Sequence, residues 1–399
     1  MSAEPVTPHE RVRLWYRPMR SRDPHESHRV ATPLELLFDL CFVVAVGRAA
    51  AELHHAISEN HVGDGVLSFV LVFFAIWWAW LNFAWFASAF DTDDVPYRIA
   101  TLVQIGGGLV LAAGVPSAFE GDFTVIVIGY VVMRLALVGQ WLRAAAANPG
   151  IRPTALRFAL GITLVQLGWI ARLALPEGLL LAGFAVLAVA ELLVPIWAER
   201  ASAGTRWHPH HIAERYGLFT IIVLGEAVFS GTGAIQEGIE TGEHTGALVS
   251  LAVAGLVIMF SMWWLYFERP AQRRLTSFRA AFQWGYGHLF IFASAAAVGV
   301  GIEVAVDYDT HIAHISSLPA AMATTVPLAI FLLSVWLLHI GPRNECRPIA
   351  IGFPVAVVLV LAASFGPAPV HVAAGIVAAL VATVVIATHG EREPSHQGG

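Results

Sequence analysis

Seven ionisable side chains lie in stretches otherwise apolar enough to be helices crossing hydrocarbon. Glu35, Asp39, Arg48 and Glu52 share one stretch; Glu214, Arg215 and Glu226 share another. A charge at the bilayer centre costs about 2.5–3.5 kcal/mol on insertion scales, so such groups turn toward protein and commonly handle protons, ions or substrate. Several also have local explanations. Thr32-Pro33-Leu34-Glu35 fits a capping box with proline at the first helical position, so Glu35 is either a helix start or a site residue. Glu214 falls in a first turn, where the helix dipole favours a carboxylate. Arg48 and Glu52 are four apart and could pair on one helix. Asp39 and Glu226 have no basic residue three or four positions away, and neither is close enough to a helix start to cap it. The candidate proton or substrate groups are therefore Glu35, Asp39, Arg48, Glu214, Arg215 and Glu226.

Other groups are weaker candidates. Arg134 could pair with Glu191; for His288 and His339 an interhelical hydrogen bond is the simpler expectation. His208-Pro209-His210-His211 lacks helical i, i+4 metal spacing, and so do His54, His55 and His61, so no metal site is expected. Cys41 and Cys346 are not expected to form a disulfide. Phosphate-loop, dinucleotide, nucleophile-elbow and HExxH motifs are absent, so no catalytic residue and no cofactor is assigned. The net charge of −6 is distributed, which gives no footprint for nucleic acid.

The elements that must position these groups are transmembrane helices. Of the 399 residues, 57% are hydrophobic and 13% charged, far from the roughly 25% charged of a soluble domain. Apolar segments fall at 33–55, 66–90, 97–119, 122–146, 154–175, 177–199, 209–232, 246–268, 278–304, 317–340, 348–366 and 369–389. Each approaches the length of about 20 residues that crosses a bilayer. With the N-terminus inside, 19 of the 23 basic residues, all arginine, fall on the cytoplasmic side, which includes the loops carrying Arg98, Arg143, Arg273, Arg274 and Arg343. Opposite loops carry Glu59, Asp64, Glu120, Asp122, Glu237, Glu240, Glu243, Asp307 and Asp309. Residues 1–31 read as a disordered cytoplasmic tail with Arg11, Arg13, Arg17, Arg20, Arg22 and Arg29, and 390–399, with Arg392, as a second tail.

At an offset of 181, Asn82-Phe83-Ala84-Trp85-Phe86 meets Trp263-Trp264-Leu265-Tyr266-Phe267, and Tyr97-Arg98-Ile99-Ala100 meets Phe278-Arg279-Ala280-Ala281. At an offset of 178, Val46-Gly47-Arg48 meets Leu224-Gly225-Glu226. The predicted fold is an all-α polytopic membrane bundle of about twelve helices, made of two parallel six-helix repeats over 32–200 and 207–389. Some transporters have this organisation. It predicts that Arg48 pairs with Glu226 and that Arg215 is the counter-charge of Asp39 or Glu35. Gly106-Gly107-Gly108 and Gly285-Tyr286-Gly287 interrupt corresponding helices, by close packing or by loosened helices at a binding site. Trp77, Trp78, Trp80, Trp85, Trp263, Trp264 and Tyr266 are expected in an interfacial aromatic belt.

Two stretches also carry a family resemblance. Pro33-Leu34-Glu35-Leu36-Leu37-Phe38-Asp39-Leu40-Cys41-Phe42-Val43-Val44-Ala45 resembles the PLELFFDLVFVFA-type opening of the bacterial low temperature requirement A (LtrA) family. The run from His211 through Ala213-Glu214-Arg215-Tyr216-Gly217 to Leu224-Gly225-Glu226 resembles its second motif. Leu37 and Cys41 stand where the first motif often has Phe and Val, which touches no charge. The resemblance spans roughly 30–390 and implies a bacterial inner-membrane protein linked to growth in the cold, without a reaction or substrate. Together the residues and the repeat lead to a secondary transporter of a small solute, proton-coupled, with the lipid bilayer as its surroundings. The alternative is a membrane-embedded enzyme acting on lipid or another apolar substrate. A sensory or assembly protein would need a longer soluble loop than any present.

Overall fold

The computed structural model describes residues 15–23, 26, 29–202, 204–240, 245–269, 275, 277–341 and 346–390. Arg11, Arg13, Glu243, Arg273, Arg274, Arg343, Arg392 and most of the expected C-terminal tail lie outside them, as do the side chains of Glu237 and Glu240.

Among the described residues the chain is helical, without strands. The helices are α1 (Pro33–Ser58), α2 (Val62–Phe90), α3 (Val95–Ala113), the short α4 (Val115–Phe119), α5 (Thr124–Ala147), α6 (Arg152–Arg172), α7 (Glu177–Glu199), α8 (Pro209–Glu240), α9 (Thr245–Phe267), α10 (Phe278–Asp309), α11 (Ser317–Val335), α12 (Arg347–Ala363) and α13 (Pro369–Gly390). A π-turn, Trp336–Ile340, extends α11. Nine of these spans are long and apolar enough to cross a membrane, and α12 is a shorter apolar helix. A helix at about 1.5 Å per residue needs around 20 residues for the hydrocarbon, a length α1 and α8 also exceed, with charges along them.

The chain divides into two compact units, Met1–Ala45 with Ala75–Tyr216, and Val46–Phe74 with Gly217–Gly399. In the first, α3 packs on α5, α5 on α6 and α6 on α7. In the second, α10 packs on α11, α11 on α12 and α12 on α13, and α9 also packs on α13. The α3–α5 crossing depends on glycine. A Cβ on Gly107 would lie 2.8 Å from the Gly129 carbonyl oxygen, and one on Gly129 would lie 2.5 Å from the Leu111 nitrogen. Helices α3 and α10 run unbroken through both glycine interruptions, so close packing is the reading that holds there.

Burial on α1 is inverted relative to a soluble helix. Leu36, Leu37, Leu40 and Val44 are exposed, whereas Glu35 and Asp39 are buried beside Phe38 and Phe42. A leucine stripe facing outward is stable against lipid and costly in water.

Two expectations change. Part of the stretch read as a disordered tail is packed against the first unit. Met19 and Arg29 are buried, and Arg22 N–H donates to the Ala89 carbonyl at 2.9 Å. Asn148 donates to the Met19 carbonyl at 2.6 Å and accepts from the Ser21 N–H at 2.9 Å. Arg17 N–H donates to Asp94 at 2.8 Å. Composition reads as a disordered tail, but its backbone groups find side-chain and backbone partners in the first unit. The second change concerns tryptophan. Trp77, Trp78, Trp80 and Tyr266 are core residues rather than a belt; α2 is buried on nearly every side over residues 72–90, whereas Trp263 and Trp264 remain exposed.

Candidate functional site: a buried ionic network

The two charged stretches contribute to one network in the first unit. Arg215 on α8 forks onto Asp39 of α1, with Nη2 at 2.5 Å from Oδ1 and Nε at 3.0 Å from Oδ2. The Trp80 indole N–H donates to the same carboxylate at 2.7 Å. Arg215 Nη1 also lies 3.1 Å from Glu35 Oε1, so it is counter-charge to both acids, as expected. Its guanidinium lies 5.6 Å from the centre of the Phe83 ring. Charge-assisted two-pronged contacts of this kind fix geometry as well as energy.

Glu35 fulfils both of its readings. Thr32 N–H donates to Glu35 Oε2 at 2.7 Å and Glu35 N–H to Thr32 Oγ1 at 3.3 Å, which is the capping box. The same carboxylate meets His211 Nε2 at 3.1 Å and Arg29 Nη2 at 3.5 Å. Arg29 then reaches Asp91 at 3.5 Å. Two guanidiniums and one imidazole thus face three carboxylates, all buried. The Tyr97 hydroxyl is buried nearby without a hydrogen-bond partner.

Two acids at the ends of these helices titrate unusually. Burial raises the Asp91 carboxyl to about 6, with the Glu35 charge adding to the effect and Arg29 opposing it. At Asp94 burial pushes the same way but loses. The N–H groups of Arg17 and Tyr97 and the Arg143 guanidinium hold that carboxyl below its ordinary value. Asp94 caps α3 through the Tyr97 N–H at 2.9 Å.

A second buried pair lies in the same unit. Arg134 Nη2 meets Glu191 at 2.7 Å, the pairing the sequence suggested. Trp78 at 2.8 Å, Tyr130 at 2.9 Å, Gln166 at 3.0 Å and Trp169 at 3.4 Å also donate to that carboxylate.

The second unit takes Arg48 and Glu226 and does not pair them. Arg48 is exposed and makes no ion pair among the described residues, with Glu226 or with Glu52. The half-buried Glu226 presses its carboxylate against the bare face of Gly47, the residue before Arg48. Equivalent position in a repeat fixes depth and leaves the direction around the helix open, which is why the expected pair fails. Glu214, in the first unit, is half-buried and makes no ion pair in the network among the described residues; its Oε2 is unpartnered. In the second unit, His54 Nε2 lies 2.8 Å from Asp307, whose carboxylate also accepts from Ser58 at 2.9 Å; His54 Nδ1 is 3.6 Å from Glu303. Among the described residues no three His, Cys, Asp or Glu side chains gather as a metal set, and Cys41 and Cys346 are free thiols.

Sequence reasoning missed Arg29, Trp80, Asp91 and His211. Arg29 and Asp91 sat in presumed tail and loop. His211 was weighed only as a metal ligand, although it lies one helical turn before Arg215, the distance that puts both on one face.

A chain whose described residues are helical, with nine spans long and apolar enough to cross a membrane and with charges buried inside, is a multi-pass membrane protein. The family model described as bacterial low temperature requirement A protein matches residues 30–387, so the chain belongs to the LtrA family. A relative from Rhizobium meliloti (strain 1021), named "Uncharacterized protein RA0937", is 27% identical over 277 residues. That match covers 64% of this chain and 64% of the relative, so the chain spans just under two thirds of that protein's length. No solved structure matches.

Proposed function

We propose that this LtrA-family protein is a proton-coupled secondary transporter of a small solute in the bacterial inner membrane. In this reading α1, α8 and α12 cross the bilayer with the other nine spans, giving twelve. The spans form two parallel six-helix repeats over 32–200 and 207–389, and both termini are cytoplasmic. The recurring packing order, α3–α5–α6–α7 and α10–α11–α12–α13, supports the repeat.

One observation carries the reading: the Asp39–Arg215–Glu35–His211 network has zero exposure and is built from the two family motifs. Well-packed apolar residues in place of a buried ion network are commonly as stable or more so, which makes a purely structural role an expensive choice. Glu35, Asp39, Glu214 and Glu226 are the proton or cation carriers, and Arg215 holds the balancing charge. Arg48, exposed and unpaired, is left outside the mechanism. Arg29, which meets Glu35 and Asp91, would have to release Glu35 for that carboxylate to exchange a proton.

The alternative enzyme reading requires an acid and a histidine open to one leaflet. Glu35 and His211 form such a pair at 3.1 Å, but both are fully buried. Uptake of a broad solute panel into proteoliposomes tests the proposal. A solute whose accumulation follows an imposed pH gradient and fails with Asp39→Asn is expected. Gradient-independent behaviour across the whole panel would rule the reading out.

A further inference from the structure

We infer that Tyr266, His288 and His339, in the second unit, form a binding site for a divalent transition-metal ion such as Zn2+. His288 Nε2 lies 3.0 Å from the Tyr266 hydroxyl and 3.4 Å from His339 Nε2. All three residues are buried.

The proton positions follow from the partners. His288 Nδ1 is 2.7 Å from the Trp284 carbonyl, which can only accept, so that nitrogen carries the hydrogen. In the neutral ring the Nε2 lone pair then points at both Tyr266 and His339. Tyr266 O–H donates to that lone pair, and His339 Nε2 converges on the same point. A metal ion seated there would take lone pairs from all three.

The distances suit it. With zinc–nitrogen bonds of about 2.05 Å, two nitrogens 3.4 Å apart subtend about 112° at the metal, close to a tetrahedral angle. The Tyr266 oxygen completes a third direction at about 95° from His288. A fourth position stays open, as at zinc sites that exchange a ligand. The Trp284 carbonyl behind His288 is the outer partner that ligating histidines characteristically hold. His339 lies in the π-turn, an irregularity that recurs where a helix re-aims a functional side chain. Thr220 hydrogen-bonds the Tyr266 phenol, so a phenolate would keep a donor.

The test uses the full chain in detergent, without a polyhistidine tag, stripped with a chelator and loaded with Co2+ or Zn2+. After desalting, one ion per chain is expected by elemental analysis, with visible d–d bands for Co2+. His288→Gln and His339→Gln should each lose it, and His54→Gln should retain it. Tyr266→Phe, which keeps the packing, should shift the Co2+ bands and weaken binding about tenfold or more, the scale seen when a metal's supporting groups are removed. Wild-type protein that retains no stoichiometric metal, or a Tyr266→Phe protein with unchanged bands and affinity, would overturn the site. Zn2+ flux into proteoliposomes separates a carried ion from a resident one, and either result upholds the site. Metal retained with no solute moved would defeat the transporter reading alone.

Discussion

In the first unit the interior holds many ions beside its neutral polar groups. Asp39, Glu35, Arg215 and Arg29 form one chain of contacts, and Glu191 with Arg134 forms another. In the second unit the buried polar groups among the described residues are hydroxyls and imidazoles, Tyr266, His288 and His339 among them, with no buried carboxylate or guanidinium. The difference teaches which losses each interior can absorb. An ion stripped of its partner in a low-dielectric interior retains its full desolvation cost, whereas a neutral donor that loses an acceptor forfeits about one hydrogen bond. The first unit should therefore fail abruptly under single substitutions, and the second by degrees.

The largest expected effect is at Arg215. Arg215→Met leaves Asp39 and Glu35 buried and uncompensated, and should cost about 3–5 kcal/mol. Loss of monodisperse protein in detergent, or a steep fall in thermal midpoint, is the readout; a near-normal midpoint would break the contrast. Glu191→Leu strands Arg134 and should cost about 3 kcal/mol, with a partial return in the Glu191→Leu, Arg134→Leu double variant.

A pH effect of intermediate size comes from Asp91, which lies between α2 and α3. Its folded carboxyl titrates at about 6 against 3.8 ordinarily, so between those values the folded protein holds a proton that the unfolded chain releases. The stabilisation is fully present below pH 3.8 and is lost as pH rises through about 6, a total of about 2–3 kcal/mol. Asp91→Asn should flatten that part of the stability profile; an unaltered profile would remove Asp91 from the account. Trp80→Phe deletes one donor to Asp39 and should cost about 1.5–3 kcal/mol. Smallest of all, Arg48→Gln should stay within about 0.5 kcal/mol of wild type. A larger loss would mean that Arg48 has a partner the described contacts omit.

Much of the architecture was legible in the sequence. Runs of apolar residues fix where helices begin and end, and the helix starting at Pro33 was readable down to its capping box. The Arg215 link to Asp39 and Glu35 was also legible, since inward-facing charges must find opposites. What could not be read was rotation about the helix axis. In α2 nearly every position is apolar, and residues 72–90 are buried on nearly every side, so the pattern does not tell a helix wrapped in protein from one facing lipid. The same ambiguity hid the outward turn of Arg48 and gave Gly47 the place beside Glu226. The packing of Met19 and Arg29 rests on contacts across long sequence separations, such as Asn148 with Met19, and such pairings leave no local pattern.

The account turns on whether the Asp39–Arg215 pair is retained for work or for architecture. A double-mutant cycle with Asp39→Asn and Arg215→Met, read in parallel by thermal unfolding in detergent and by pH-driven uptake in proteoliposomes, separates the two. The account predicts that each single variant is destabilised, that the double variant recovers most of the stability, and that uptake is absent in all three. A stable double variant that transports as well as wild type would contradict it.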